Sequence, residues 1–174
     1  MSQLRAVLRQ MSRDELENMI CMLSRASDES AAQLESLIHS EEYVARLLSD
    51  CKQKLRVLFS YTNRSGILSA ARRCVQAFAK HTQNEPVLLE LMLTCLEGAM
   101  DWVLRTETPS IFGNDLIDMF TAFVERMNKQ QTKELFSHLN NRITKLELEA
   151  DMLGWSFGET LSEACLNIRW WGEG

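Results

Sequence analysis

Proline is nearly missing from this chain: it occurs only at Pro86 and Pro109 in 174 residues. The first 85 residues contain no proline and one glycine, Gly66. Proline and glycine are the usual punctuation of turns and strand ends. A chain that lacks them while repeating apolar residues at three- and four-residue spacing is built from helices. The scarcity of glycine also excludes phosphate-binding loops: Gly154 and Gly158 bracket Trp155-Ser-Phe157, and nothing there matches G-x-x-x-x-G-K-[ST] or G-x-G-x-x-G.

Long apolar runs are missing as well. The longest lies between Pro86 and Leu96 and is broken by Glu90, whereas a membrane span needs roughly 20 residues. The N-terminal stretch is interrupted by Arg5 and Arg9, so no secretory leader is expected. The five cysteines, Cys21, Cys51, Cys74, Cys95 and Cys165, never form C-x-x-C and are odd in number. They read as small buried thiols in a reducing, cytoplasmic compartment.

What is present is a succession of amphipathic stripes. Ser12-Arg-Asp-Glu15 spells a capping box, followed by Leu16, Met19, Ile20 and Leu23 on one face. A short helix over 2–9 is expected before it, with Leu4, Val7 and Leu8 inward. Asp28 and Ser40 read as the next N-caps. Val44, Leu47, Leu48, Cys51, Leu55, Leu58 and Phe59 mark a long helix that ends in the turn-rich stretch 61–66. With Ile67, Ala71, Cys74, Val75 and Phe78 it makes an antiparallel hairpin over 41–82. Asn84-Glu-Pro86 opens a helix carrying Leu88, Leu91, Cys95, Ala99 and Trp102, and proline costs nothing in a first turn. Thr106–Asn114 reads as a loop. Leu116 to Met127 repeats the pattern, and Thr132 caps a helix that Gly154 ends as a left-handed residue. A last helix reaches Trp170-Trp171. The expectation is an all-α fold of eight to nine helices, a compact bundle or array, as one domain over 1–174.

No chemistry-bearing constellation accompanies these helices. Glu134 and His138 stand four apart on one helix, but di-iron bundles need Glu-x-x-His twice with two further glutamates. Neither a metal nor a cofactor is expected, and acidic pairs such as Glu41-Glu42 complement helix dipoles. The chain reads as non-enzymatic.

Charge is distributed unevenly. From Cys51 to Asn84 there is no acidic residue, yet Lys52, Lys54, Arg56, Arg64, Arg72, Arg73 and Lys80 occur. From Glu85 to Asp118 the sign reverses: Glu85, Glu90, Glu97, Asp101, Glu107, Asp115 and Asp118 face Arg105 alone. Three readings stay open: pairing within the chain, pairing between copies, and a site for an anionic partner. Lys52, Lys54, Arg56, Arg64, Arg72 and Arg73 are the candidate partner-binding residues, with Lys52 and Arg56 on one helical face. Reversing both to glutamate is expected to weaken partner binding and spare the fold. Adjacent Trp170 and Trp171 point to different sides of a helix, so both are buried only in a groove or an interface. Docking of the C-terminal helix onto its own bundle is the first reading, and a partner-facing or dimer-forming patch, with both as candidate interface residues, is the second.

Leu8-Arg-Gln-Met-Ser-Arg-Asp-Glu-Leu16, the basic hairpin 52–73 and Asp151-Met-Leu-Gly-Trp-Ser-Phe-Gly158 together resemble an uncharacterised bacterial family of short all-helical proteins, known as a domain of unknown function. That resemblance implies a helical fold and no activity or functional residues. Phe59-Ser-Tyr61 is similar to the aromatic-Tyr step of nuclear proteasome-tethering factors, without their proline-rich signatures. The expected function is a non-catalytic protein–protein interaction module that self-associates. The alternative is a nucleic-acid-associated regulator using the basic hairpin 52–80, against which the net charge of −5 counts.

Overall fold

The computed structural model describes residues 2–38, 40–61, 66–82, 84–106, 109–130 and 133–172. Among these residues there are nine helices and no strand. The protein is all-α. The chain gathers into two compact units, Met1–Ala45 and Arg46–Gly174.

The first unit holds α1 (Ser2–Leu8), α2 (Arg13–Ala26) and α3 (Asp28–Ile38). The capping box forms as the sequence predicts: the Glu15 amide donates to Ser12 Oγ at 3.3 Å, and the Ser12 amide donates back to the Glu15 carboxylate at 2.8 Å. Those bonds, chiefly the one with the Ser12 backbone, hold the Glu15 carboxyl below the usual carboxylate range. The next cap is Ser27 rather than Asp28, since the Ser30 amide donates to Ser27 Oγ at 3.1 Å and Asp28 sits in the first turn. α2 and α3 pack on each other. The expected inward face does not close, however: no residue of α2 is buried, and Met19 and Leu23 are 37% and 52% exposed. Leu4 and Val7 of α1 are exposed too. A helical hairpin this short has too few facing residues to enclose its own apolar stripe.

The second unit is organised around one helix. α6 (Glu85–Thr106) buries ten residues, among them Leu89, Leu93 and Met100 beside the predicted stripe. A helix apolar on nearly every side belongs at the centre of a core. It packs against α5 (Ile67–Ala79), α7 (Pro109–Asn128) and α8 (Lys133–Asp151). Asn84 caps it, accepting from the Val87 amide at 3.2 Å. The part of α4 (Ser40–Ser60) within this unit runs parallel to α6: Lys52 meets Glu90, Phe59 packs on Gly98, and the Tyr61 carbonyl accepts from Trp102 Nε1 at 2.6 Å. Arg105 donates to the Phe59 carbonyl at 2.7 Å. The Phe59 carbonyl, in the last turn of α4 where intrahelical donors run out, and the Tyr61 carbonyl just beyond it are thereby satisfied from α6.

Three boundaries depart from expectation. α7 begins at Pro109, so the stretch 109–114 expected as loop is helical; proline is pre-organised for a first turn, and Gly113 costs only about 1 kcal/mol in the helix. Gly154 does not end α8 as a left-handed residue. Its φ of 116° and ψ of 159° form the N-cap of α9 (Trp155–Leu166), a conformation nearly confined to glycine. α9 itself stops at Leu166, and 167–172 is turn. The cap expected at Thr132 lies outside the described residues.

Candidate functional site

α4 and α5 carry the basic segment, and their antiparallel arrangement decides which of its side chains meet. Cys51 of α4 and Cys74 of α5 fall opposite each other. Cys74 Sγ lies 4.0 Å from the Cys51 carbonyl oxygen. Between the helices runs a groove of about 550 Å³, walled by Cys51, Val57, Leu58, Ala70, Cys74 and Ala77, with Lys54 and Arg73 at its edge. The structure therefore brings Lys54 and Arg73 together, from different helices, around one apolar trough.

The other predicted cations do not join them equally. Arg56 is exposed on α4 and Arg72 is half-buried on α5. Arg64 lies outside the described residues. Lys52 points the opposite way: its Nζ is 2.9 Å from the Glu90 carboxylate on α6. A four-residue step advances about 40° around a helix, enough to leave Arg56 in solvent while Lys52 faces a neighbour. Expected as a binding residue, Lys52 is engaged within the chain.

Glu90 is part of a wider ion-pair web. Arg142 of α8 reaches Glu90 at 3.1 Å and makes a bidentate pair with Glu97 at 2.7 and 2.6 Å, and its Nη2 donates to Thr94 at 3.1 Å. Arg126 of α7 forms a second fork with Glu85 at 2.6 and 2.7 Å. Burial pushes the Glu90 carboxyl up, but Lys52 and Arg142 together pull it below the usual range. The Arg126 hydrogen bonds do the same for Glu85. Pairing within the chain thus accounts for Glu85, Glu90 and Glu97, although two of their three partners come from helices beyond the basic segment. Exposed acids gather elsewhere, at Asp115, Asp118 and Glu125 of α7.

The C-terminal tryptophans turn back onto α8. Trp170 is buried, and its ring and that of Trp171 each lie 6.3 Å from Phe136, tilted and edge-on respectively. Both can reach one phenyl ring because the chain at 167–172 is turn, so the opposed directions of a helix do not apply. Asn128 holds the turn to α7: its amide donates to the Asn167 carbonyl at 2.7 Å and its oxygen accepts from the Arg169 amide at 2.9 Å. The Arg169 guanidinium stacks over Trp170 at 5.6 Å.

Glu134 and His138 are exposed on α8. Among the described residues no group of three histidine, cysteine or acidic side chains is placed to hold a metal ion, and no helix is long and apolar enough to cross a membrane. All five cysteines are thiols.

Comparison with family models, curated proteins and solved structures returns no match.

Two features escaped the sequence reading. Arg126 and Arg142 were not connected to the acidic helix because they are remote in sequence, and no local spacing signals such a pair. The Cys51–Cys74 approach was legible in principle: once the hairpin was expected, counting outward from its turn pairs those two positions.

Proposed function

We propose that the chain is a non-catalytic helical interaction module that associates with copies of itself. The observation that carries this reading is the apolar stripe of α2, which is well capped and amphipathic yet has no buried residue. A unit of this size, Met1–Ala45, falls close to the lower limit at which a core sustains itself, where oligomerisation commonly supplies the missing burial. Apposing two α2–α3 hairpins along Met19, Ile20 and Leu23 encloses those side chains in a four-helix arrangement. A two-fold contact of this kind is self-complementary and closes at the dimer.

Light scattering across a concentration series tests the proposal. The wild-type chain is expected to pass from monomer to dimer, and Met19→Glu with Leu23→Glu to stay monomeric while tryptophan fluorescence of the second unit is unchanged. A wild-type chain that remains monomeric at high micromolar concentration overturns it. In the same reading, the groove edge formed by Lys54 and Arg73, extended by Arg56, is the surface for an acidic partner. Its charges are exposed and suited to steering an encounter.

A further inference from the structure

We propose that Cys51 and Cys74 form a redox-active dithiol, which a hydroperoxide entering the α4–α5 groove oxidises to a disulfide joining the two helices. Three observations place the chemistry here. Both thiols line the same groove, so a small oxidant reaches them together. Cys74 Sγ is 4.0 Å from the backbone oxygen of Cys51, so the thiol of one helix reaches the residue that carries the other; closing the bond brings the two Cβ atoms to about 3.5–4.5 Å. Lys54, at the groove edge, supplies a positive charge next to the pair.

The two thiols are not equivalent. A hydrogen bond from Cys51 favours the Cys74 thiolate, and with Lys54 it outweighs burial and draws Cys74 below the ordinary thiol range. The same bond, reinforced by burial, pushes Cys51 up. Cys74 is also the more accessible of the two, Cys51 being buried, so Cys74 is the attacking thiolate and Cys51 the resolving thiol. In the first step the Cys74 sulfur attacks one peroxide oxygen. An S–O bond forms, the O–O bond breaks, and the departing hydroxide or alkoxide takes up a proton, leaving a sulfenic acid on Cys74. In the second step the Cys51 sulfur attacks the Cys74 sulfur. The S–S bond forms, the S–O bond breaks, and the leaving hydroxide collects the Cys51 proton as water. Two thiols lose two electrons and the peroxide gains them. A small dithiol reverses the link by exchange.

Cys95 and Cys21 serve as internal controls. Cys95 is fully buried on α6, and desolvation raises its thiol to about 12, which keeps it protonated and inert. Cys21 is exposed on α2 and has no partner thiol in its helix.

The experiment exposes the full-length reduced chain to dilute hydrogen peroxide, alkylates the remaining thiols, and maps tryptic peptides without reduction. The expected product joins the peptide 47–52 to the peptide 74–80 and disappears with dithiothreitol. In Cys51→Ser the sulfenic acid is stranded on Cys74 and traps dimedone; in Cys74→Ser the adduct on Cys51 is absent. Repeating the oxidation in urea, where the hairpin is unfolded, loses the selectivity for this pair. Oxidation confined to Cys21, oxygen added to Cys51 or Cys74 without a link in the wild-type chain, or equal selectivity in urea each overturns the proposal. The wild-type map stands even if a serine variant fails to fold.

Discussion

Arginine 142 illustrates how one side chain closes a charge pattern that its own neighbourhood in sequence does not reveal. Half-buried on α8, it holds Glu97 with both nitrogens of its fork and leans on Glu90, which Lys52 completes from the other side. A charge-assisted bidentate pair in a half-buried place contributes more than an exposed one, and its removal leaves two carboxylates under-compensated. Arg142→Ala is expected to destabilise the protein by about 2 kcal/mol, read as a lower urea midpoint with an unchanged slope. Lys52→Glu sets a second carboxylate against Glu90 and should lower stability as well, contrary to the sequence-based expectation that reversing Lys52 spares the fold. Lys54→Glu and Arg73→Glu touch no such partner, and the expected change is within about 0.5 kcal/mol. That contrast separates the cations that build the fold from those that leave it unchanged. The residue types and the opposed charge of the two segments were plain in the sequence. Which lysine turned inward was not, because a 40° difference around α4 decides it and only the position of α6 defines the inside.

At the scale of the element, helices formed where apolar periodicity and caps agreed. Ser12 and Asn84 begin their helices as expected, each through a side-chain oxygen accepting from a backbone amide. Boundaries failed where one residue type serves two purposes. Gly154 suits the end of one helix or the start of the next, and Pro109 suits a loop or a first turn. The contact of α4 with α6 depends on a missing side chain. A Cβ built at Gly98 would stand 2.6 Å from Cδ2 of the buried Phe59 ring, so the helices approach more closely than alanine permits. Gly98→Ala raises intrinsic helix propensity by roughly 1 kcal/mol, yet the overpacking it forces costs about 1–3 kcal/mol. Net destabilisation is the expected outcome in thermal melts, and a smaller residue in place of Phe59 should recover part of it. Local propensity predicts the opposite sign, so a stabilised Gly98→Ala would show that α4 does not rest on α6 there.

Across the whole molecule, stability is concentrated in the second unit. α6 is buried along its length while α2 buries nothing. Amide hydrogen exchange should therefore protect residues 88–103 most strongly and leave residues 13–26 exchanging by local opening at low free energy. Acid should act through the ion-pair web. Glu85 and Glu90 have folded-state values below their ordinary one near 4.5, so the stability they contribute is complete above that pH and is lost as pH falls through their lowered values. Unfolding midpoints followed from neutral pH downward should stay level until about pH 5 and then drop, and Arg126→Gln or Arg142→Gln should flatten that drop. A midpoint insensitive to acid in the wild-type chain would mean that these pairs contribute nothing to folding.

Composition and periodicity by themselves determined that this protein is helical, roughly where its helices lie, and that its charges are segregated. These are properties of neighbouring residues, set by backbone geometry and the spacing of apolar side chains over one or two turns. Only the tertiary structure decided that α6 is the centre, that the tryptophans close onto Phe136, that Lys52 belongs to the fold and Lys54 with Arg73 to a groove, and that two cysteines separated by 23 positions meet. Each of those facts depends on how far and at what angle one helix lies from another. That distance is set by packing between segments remote in the chain, which no local pattern encodes.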